Sequence, residues 1–263
     1  MIIGLLALFA QIAHTGTGIR SLIFINWRYR MSIIRLNNED VFNVDSSEYE
    51  ILANASASIK EVEGAVLEIG SRRGGSAKIM MDTLESNNDT NRSFFCVDPY
   101  GNIDLEITNI NATRFYANKY EVKGDPNSKD ETLPAKFDYT NTMRNRVVPS
   151  LYYYAFSKGF NFSFFFLEDT EFFKRYPDGV PVYDEEKKIE DKFALVFFDG
   201  PHTNQAVIDE ISYFLDKSPI GTAWVFDDIW MYDHDMIEQE YLFKNGFEIL
   251  EKGNVKASYV KKS

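Results

Sequence analysis

Two short acidic clusters carry the most pointed chemistry in the chain. Asp199-Gly200-Pro201-His202 follows the apolar run FALVFF, and Asp227-Asp228 follows AWVF. Three carboxylates brought together at neighbouring strand ends repel one another unless a positive charge sits among them. A hard divalent cation such as Mg²⁺ suits that place, since it takes oxygen ligands and keeps some of its waters. His202 stands three residues after Asp199, and an imidazole that titrates near neutrality suits a general base. The competing reading of the aspartates is helix capping and turn formation, and that of His202 is an exposed loop residue. Asp233-His234-Asp235 is a second cluster, read as a solvated helix start.

A second set of residues suits a ligand with a ribose and a base. Glu68-Ile69-Gly70-Ser71-Arg72-Arg73-Gly74-Gly75-Ser76 follows the start of an apolar run. Glycines there permit a tight turn and close approach of a ligand. A helix starting near Ser76 aims unpaired N–H groups at the same place. The spacing is neither that of a dinucleotide fingerprint nor that of a phosphate-binding P-loop. Asp98, after FFCV, can accept two ribose hydroxyls. Glu168-Asp169-Thr170, after NFSFFFL, offer polar groups to the edge of an adenine.

Those residues need a scaffold that brings strand ends together. Apolar runs at 65–69, 94–97, 161–167, 193–198 and 223–226 read as buried strands. Helical patterns cover about 46–59, 76–84 and 207–215, the first capped by Ser46 or Ser47. Residues 247–250 and 258–260 flank Gly253-Asn254 as a terminal hairpin. Strands alternating with helices predict an α/β fold with a parallel sheet, whose ligands lie at the carboxyl ends of the strands. Residues 102–150 read as a helix with an inserted lid, where Tyr116, Tyr120 and Tyr139 are available for stacking on substrate, as are Tyr152 to Tyr154.

The 263 residues hold 28 Lys and Arg against 40 Asp and Glu, a net charge of −12. That balance disfavours a polyphosphate partner, so no nucleic acid is expected. With 44% hydrophobic and 26% charged residues the chain is of ordinary globular composition. Cys96 is the single cysteine, which excludes an internal disulfide and points to a reducing, cytoplasmic compartment. Residues 1–45 form an N-terminal extension ahead of a domain at 46–263. Its first 13 residues are mostly apolar but too few to span a bilayer. An interfacial anchor and a start at Met31, with 1–30 poorly packed, are both compatible with the pattern.

In order and spacing, VLEIGSRRGGS (66–76), FFCVDPYG (94–101), FFFLEDTEFF (164–173), LVFFDGPH (195–202) and WVFDDI (224–229) resemble the class I S-adenosylmethionine (SAM)-dependent methyltransferases. Among them the chain looks most like the metal-dependent macrocin O-methyltransferase type and, more distantly, catechol O-methyltransferase. The resemblance implies a Rossmann-like, mostly parallel sheet of seven strands with helices on both faces and a C-terminal antiparallel hairpin. It implies SAM as cofactor, with Glu68, Gly70, Ser71, Gly74 and Ser76 lining its methionine end. Asp98 would hold the ribose, and Glu168, Asp169 and Thr170 would lie beside the adenine. Asp199, Asp227 and Asp228 would ligate Mg²⁺ or a similar ion, and His202 would be the base. The implied reaction is metal-assisted O-methylation of a small hydroxylated molecule, a sugar or a phenolic diol, by an enzyme compatible with a homo-oligomer. Another α/β enzyme on the same sheet, such as a metal-dependent hydroxylase or a nucleotide-sugar enzyme, and a non-catalytic cofactor-binding scaffold remain open at this point.

Overall fold

A computed structural model describes residues 41–44, 46–100, 141–183 and 186–263. The N-terminal residues 1–40 and most of the proposed lid, with Tyr116, Tyr120 and Tyr139, lie outside the described residues.

Helix α1 (Tyr49–Ser58) leads into β1 (Ala65–Ile69), α2 (Gly75–Ser86) and β2 (Ser93–Val97). Then come α3 (Asn141–Lys158), β3 (Asn161–Phe165), α4 (Asp169–Arg175) and a small hairpin of β4 (Val180–Tyr183) and β5 (Lys187–Glu190). The chain continues through β6 (Phe193–Phe198), α5 (Asn204–Phe214), β7 (Ala223–Phe226), the short α6 (His234–Ile237), β8 (Phe247–Lys252) and β9 (Ala257–Lys261). The strands form one seven-stranded sheet in the order β3-β2-β1-β6-β7-β9-β8. Its first five strands pair in parallel, and β9 runs antiparallel to both β7 and β8. This is the expected Rossmann-like sheet with its C-terminal antiparallel pair.

The central strands are uniformly apolar because both faces of the sheet are covered. Every residue of β1, β2, β6 and β7 is buried. One side packs α1, α2 and α3 through Leu52, Met80, Leu84 and Leu151 against Val66, Phe94 and Phe197. The other packs Phe172, Ile211 and Phe214 against Leu67, Phe95 and Val196. The order reverses at β1, whose neighbours are β2 and β6, so a crevice opens beyond the carboxyl ends of those strands.

Sharp turns occur where the chain leaves that edge. Gly70 has φ +85°, and a Cβ there would lie 1.9 Å from the carbonyl oxygen of Asp199. The missing side chain therefore makes room for the end of β6 inside the protein. Gly70→Ala is expected to lower unfolding stability by about 3 kcal/mol or more, combining a left-handed backbone with a backbone clash. Urea denaturation checks this, and a loss below 1 kcal/mol would mean that the β1 and β6 ends can separate.

Two local expectations need correction. Helix α1 begins at Tyr49, and its first flanking residue is Glu48 in a left-handed conformation with no side-chain cap. The Ser46 hydroxyl instead donates to Asp227, at the far end of the sequence. At the second cluster Asp233 does start a helix, accepting from the Met236 N–H. His234, however, is 4% exposed and not solvated. Its Nε2 shares a 2.7 Å hydrogen bond with the Tyr259 hydroxyl, which donates to Glu238, and Lys252 closes the network on Glu238.

Candidate active site

Two buried carboxylates hold the loop after β1. Glu68 is 0% exposed. Its Oε2 accepts from the Ser71 hydroxyl at 2.7 Å and from the Cys96 thiol at 3.2 Å, and its Oε1 accepts from the Ser76 hydroxyl. Burial pushes its pKa up to about 7, against the pull of these donors. Glu68 thus binds the two ends of the glycine-rich loop together, so it belongs beneath the site and does not line it.

Asp98 is 1% exposed. Its Oδ2 accepts the backbone N–H groups of Ser71 and Arg72 at 3.0 and 2.9 Å, and its Oδ1 accepts that of Tyr100 at 3.0 Å. The Tyr100 hydroxyl in turn donates to the Arg72 carbonyl. Burial pushes Asp98 up to about 6, opposed by those three N–H groups. Arg72 and Tyr100 have φ 35° and 38°. Non-glycine residues in that region are held by surrounding bonds and gather at functional sites. Gly74, at φ 75°, ends the loop as the first flanking residue of α2.

At the end of β3, Glu168 is the N-terminal flanking residue of α4, and Asp169 and Thr170 open that helix. Asp169 is 7% exposed, and its Oδ1 accepts from the Thr170 N–H at 2.6 Å. Its Oδ2 is buried without a hydrogen-bond partner. A buried carboxylate oxygen of that kind is costly unless a donor reaches it.

At the ends of β6 and β7, His202 lies between two carboxylates. Its Nε2 is 3.6 Å from Asp199 Oδ1 and 3.4 Å from Asp228 Oδ2. The side chains of His202, Asp199 and Asp228 keep 16%, 23% and 28% exposure. The Nε2 itself is buried and has no hydrogen-bond partner. Burial pushes the ring's pKa down to about 4. Two carboxylates at these distances oppose that shift by favouring the charged ring.

Asp227 is not part of this group. It is 2% exposed and pairs with Lys256 Nζ at 2.8 Å. Among the described residues no three His, Cys, Asp or Glu side chains are placed to hold a metal ion. As placed, Asp199, Asp227 and Asp228 do not fit a shared Mg²⁺ site, because the positive charge at Asp227 comes from the chain itself.

The sequence matches a known family. A family described as a methyltransferase domain matches residues 67–229, more than half of the chain. The chain belongs to the methyltransferase-domain family. With its sheet it is a class I SAM-dependent methyltransferase. No curated relative matches it. Among solved structures it is similar to apo CalS11, a TDP-rhamnose 3'-O-methyltransferase of calicheamicin biosynthesis. The identity is 10% and the TM-score 0.51, over 81% of this chain and 78% of that one. It is also similar to the O-methyltransferase NovP, at 14% identity and TM-score 0.49 over 82% and 79% of the two chains. An O-methyltransferase from Bacillus cereus in complex with SAH gives 11% identity and TM-score 0.47 over 88% of each chain. At such identities the likeness is one of fold.

The structure also brings to this edge residues that sequence reading missed. Lys256, fully buried in the terminal hairpin, is one. Its signal in the sequence was a lysine between Val255 and Ala257, where a strand is about to enter the core. Glu210 of α5 is another, at 1% exposure. A Cβ on Gly200 would meet its Oε1 at 2.6 Å, so it lies directly beneath the loop that carries His202. Burial pushes its pKa well up. Tyr152 and Tyr153 of α3 are 44% and 56% exposed, while Tyr154 packs on Phe42 and donates to Asp82. Among the described residues no helix is long and apolar enough to cross a membrane.

Proposed function

We propose that this methyltransferase methylates a hydroxyl oxygen of a small polyhydroxylated molecule, a sugar or a phenolic diol, with His202 as general base. The observation that supports this best is the buried, unpartnered His202 Nε2 between Asp199 and Asp228. When bound, SAM would supply an electrophilic methyl group, its methyl–sulfur bond breaking with the electron pair left on sulfur as a neutral thioether. His202 accepts the hydroxyl proton on Nε2 as the oxygen takes the methyl. The two carboxylates then face a charged imidazolium and stabilise it. They also accept hydrogen bonds from neighbouring hydroxyls, which favours an acceptor carrying several. No step runs through a metal ion.

For the cofactor, the loop from Gly70 to Gly74 and the N-terminus of α2 form the floor. Asp98 holds that floor in place through three N–H groups. Asp169 Oδ2 accepts from the adenine edge, with Glu168 and Thr170 beside it. The domain at 46–263 carries the activity, in the cytoplasm, with no nucleic-acid partner.

Two measurements test the reading. Calorimetry of the full chain should show SAM binding. Transfer of a labelled methyl group should appear on sugars or catechols and not on amines. A folded chain that binds no SAM, or labels amines alone, would sink it. Asp98→Ala is expected to weaken SAM at least tenfold, because the N–H groups of Ser71 and Arg72 lose a charged acceptor worth about 1.5–3 kcal/mol. An unchanged dissociation constant would mean that the loop holds its shape without Asp98.

A further inference from the structure

Asp227 Oδ1 collects three donors: Lys256 Nζ at 2.8 Å, the Ser46 hydroxyl at 3.2 Å and the Asp228 N–H at 2.7 Å. Lys256 is 0% exposed. A lysine is almost never that deeply buried without a partner. Two charges removed from water hold together when geometry is good and further hydrogen bonds satisfy them. Here Nζ also donates to Ser46 Oγ at 2.8 Å and stands 4.2 Å from the centre of the Tyr49 ring.

The lysine's backbone is fixed as well. The Glu48 carboxylate accepts the N–H groups of Asn254, Val255 and Lys256 at 3.0, 2.8 and 3.0 Å. The ammonium therefore reaches β7 from a clamped hairpin tip. On its other side, Asp227 Oδ1 holds the N–H of Asp228, which sits at φ 45°. That turn sets the Asp228 carboxylate opposite His202.

We propose that Lys256 is the built-in cation of this site: it neutralises Asp227, withholds it from metal binding, and through it positions Asp228 against His202. Lys256 and Asp227 are positioning residues in this scheme. A divalent ion needs oxygen ligands with lone pairs to give. Asp227 Oδ1 already serves three donors, and an ammonium at 2.8 Å repels any dication approaching it. Removal of the lysine's charge then turns Asp227 into a ligand beside Asp228 and Asp199. This scheme depends neither on the methyl acceptor nor on SAM.

The test is titration of the full chain with Mn²⁺ alone, followed by the electron paramagnetic resonance signal of the free ion. Lys256→Gln removes the charge and keeps a donor for Asp227 and Ser46. It is expected to bind Mn²⁺ at least tenfold more tightly than the wild type. The double variant Asp227→Asn, Lys256→Gln carries no buried charge at this place and is expected to stay within twofold of the wild type. A Lys256→Gln affinity equal to that of the wild type overturns the proposal. So does a tenfold loss in the double variant, which would make Asp227 a ligand in the native protein. If Lys256→Gln fails to fold by near-ultraviolet circular dichroism, the double variant decides alone.

Discussion

His202→Ala is expected to lower kcat by about 10²–10⁴-fold, the usual contribution of a positioned general base. The affinity for SAM should stay within about twofold, since His202 touches none of the groups that hold the loop after β1. The two readouts together separate chemistry from folding. A collapsed site would lose both, whereas a missing base loses turnover alone. His202 can play this part because of its surroundings. Its Nε2 is buried and unpartnered, and it faces the carboxylates of Asp199 and Asp228 at the strand ends. Burial lowers its pKa, which keeps the ring neutral and able to accept a proton. Asp199 and Asp228 wait at 3.6 and 3.4 Å to favour the charged ring once the proton arrives. Asp228→Asn removes one of these charges and is expected to slow kcat by a smaller factor. A His202→Ala enzyme with more than a tenth of wild-type kcat would remove the base from the mechanism and leave alignment of the acceptor as the main contribution.

The sheet was legible because burial on both faces writes itself as continuous apolar runs. β1, β6 and β7 occupy the residues read from the sequence, and β2, β3, β8 and β9 differ by one or two residues at an end. Helix α3 was not legible as such. Its inward face is Val147, Val148, Leu151 and Ala155, but Tyr152, Tyr153 and Phe156 leave its outer face apolar as well, and Pro149 lies within it. Without contrast between faces there is no helical period to read. The β4–β5 hairpin escaped for the opposite reason, because Lys187, Lys188 and Ile189 of β5 are exposed and the segment reads as a charged loop.

The site shows a similar division. Asp98, Asp169, Asp199, Asp228 and His202 could be placed at one edge because a parallel sheet delivers there whatever follows its strands. Their partners could not. Ser46 and Asp227 are 181 residues apart, and Glu48 meets the N–H of Lys256 across 208. In the sequence Ser46 looks like an N-cap, and no local rule opposes that reading. Glu68 near the end of β1 and Asp98 just after β2 stand out because a carboxylate is unusual at the end of a buried strand. Their donors are the hydroxyls and backbone N–H groups of a loop that turns too sharply to satisfy itself.

Glu68→Gln is expected to abolish one pH dependence of stability in the loop after β1. The folded pKa of Glu68 is about 7 against an ordinary 4.5. Between those values the native protein holds a proton that the unfolded chain has released. Stability from this group is therefore full below pH 4.5 and falls as pH rises towards 7, by about 3 kcal/mol at 1.36 kcal/mol per unit. Glutamine carries no such charge, and its amide can serve the rotatable Ser71 and Ser76 hydroxyls. Subtracting the wild-type unfolding free energy from that of Glu68→Gln at each pH isolates the effect. His234, pushed down to about 4 by burial, loses stability in the other direction as pH falls below its usual 6.5, and it cancels in the difference. Asp98 shifts in the same direction as Glu68 and is retained in both proteins. The difference should rise by about 3 kcal/mol in favour of glutamine from pH 4.5 to pH 7, then level off. Parallel curves would show that the Ser71, Ser76 and Cys96 donors compensate the buried charge in full, so that Glu68 clasps the loop as an ordinary ionised carboxylate.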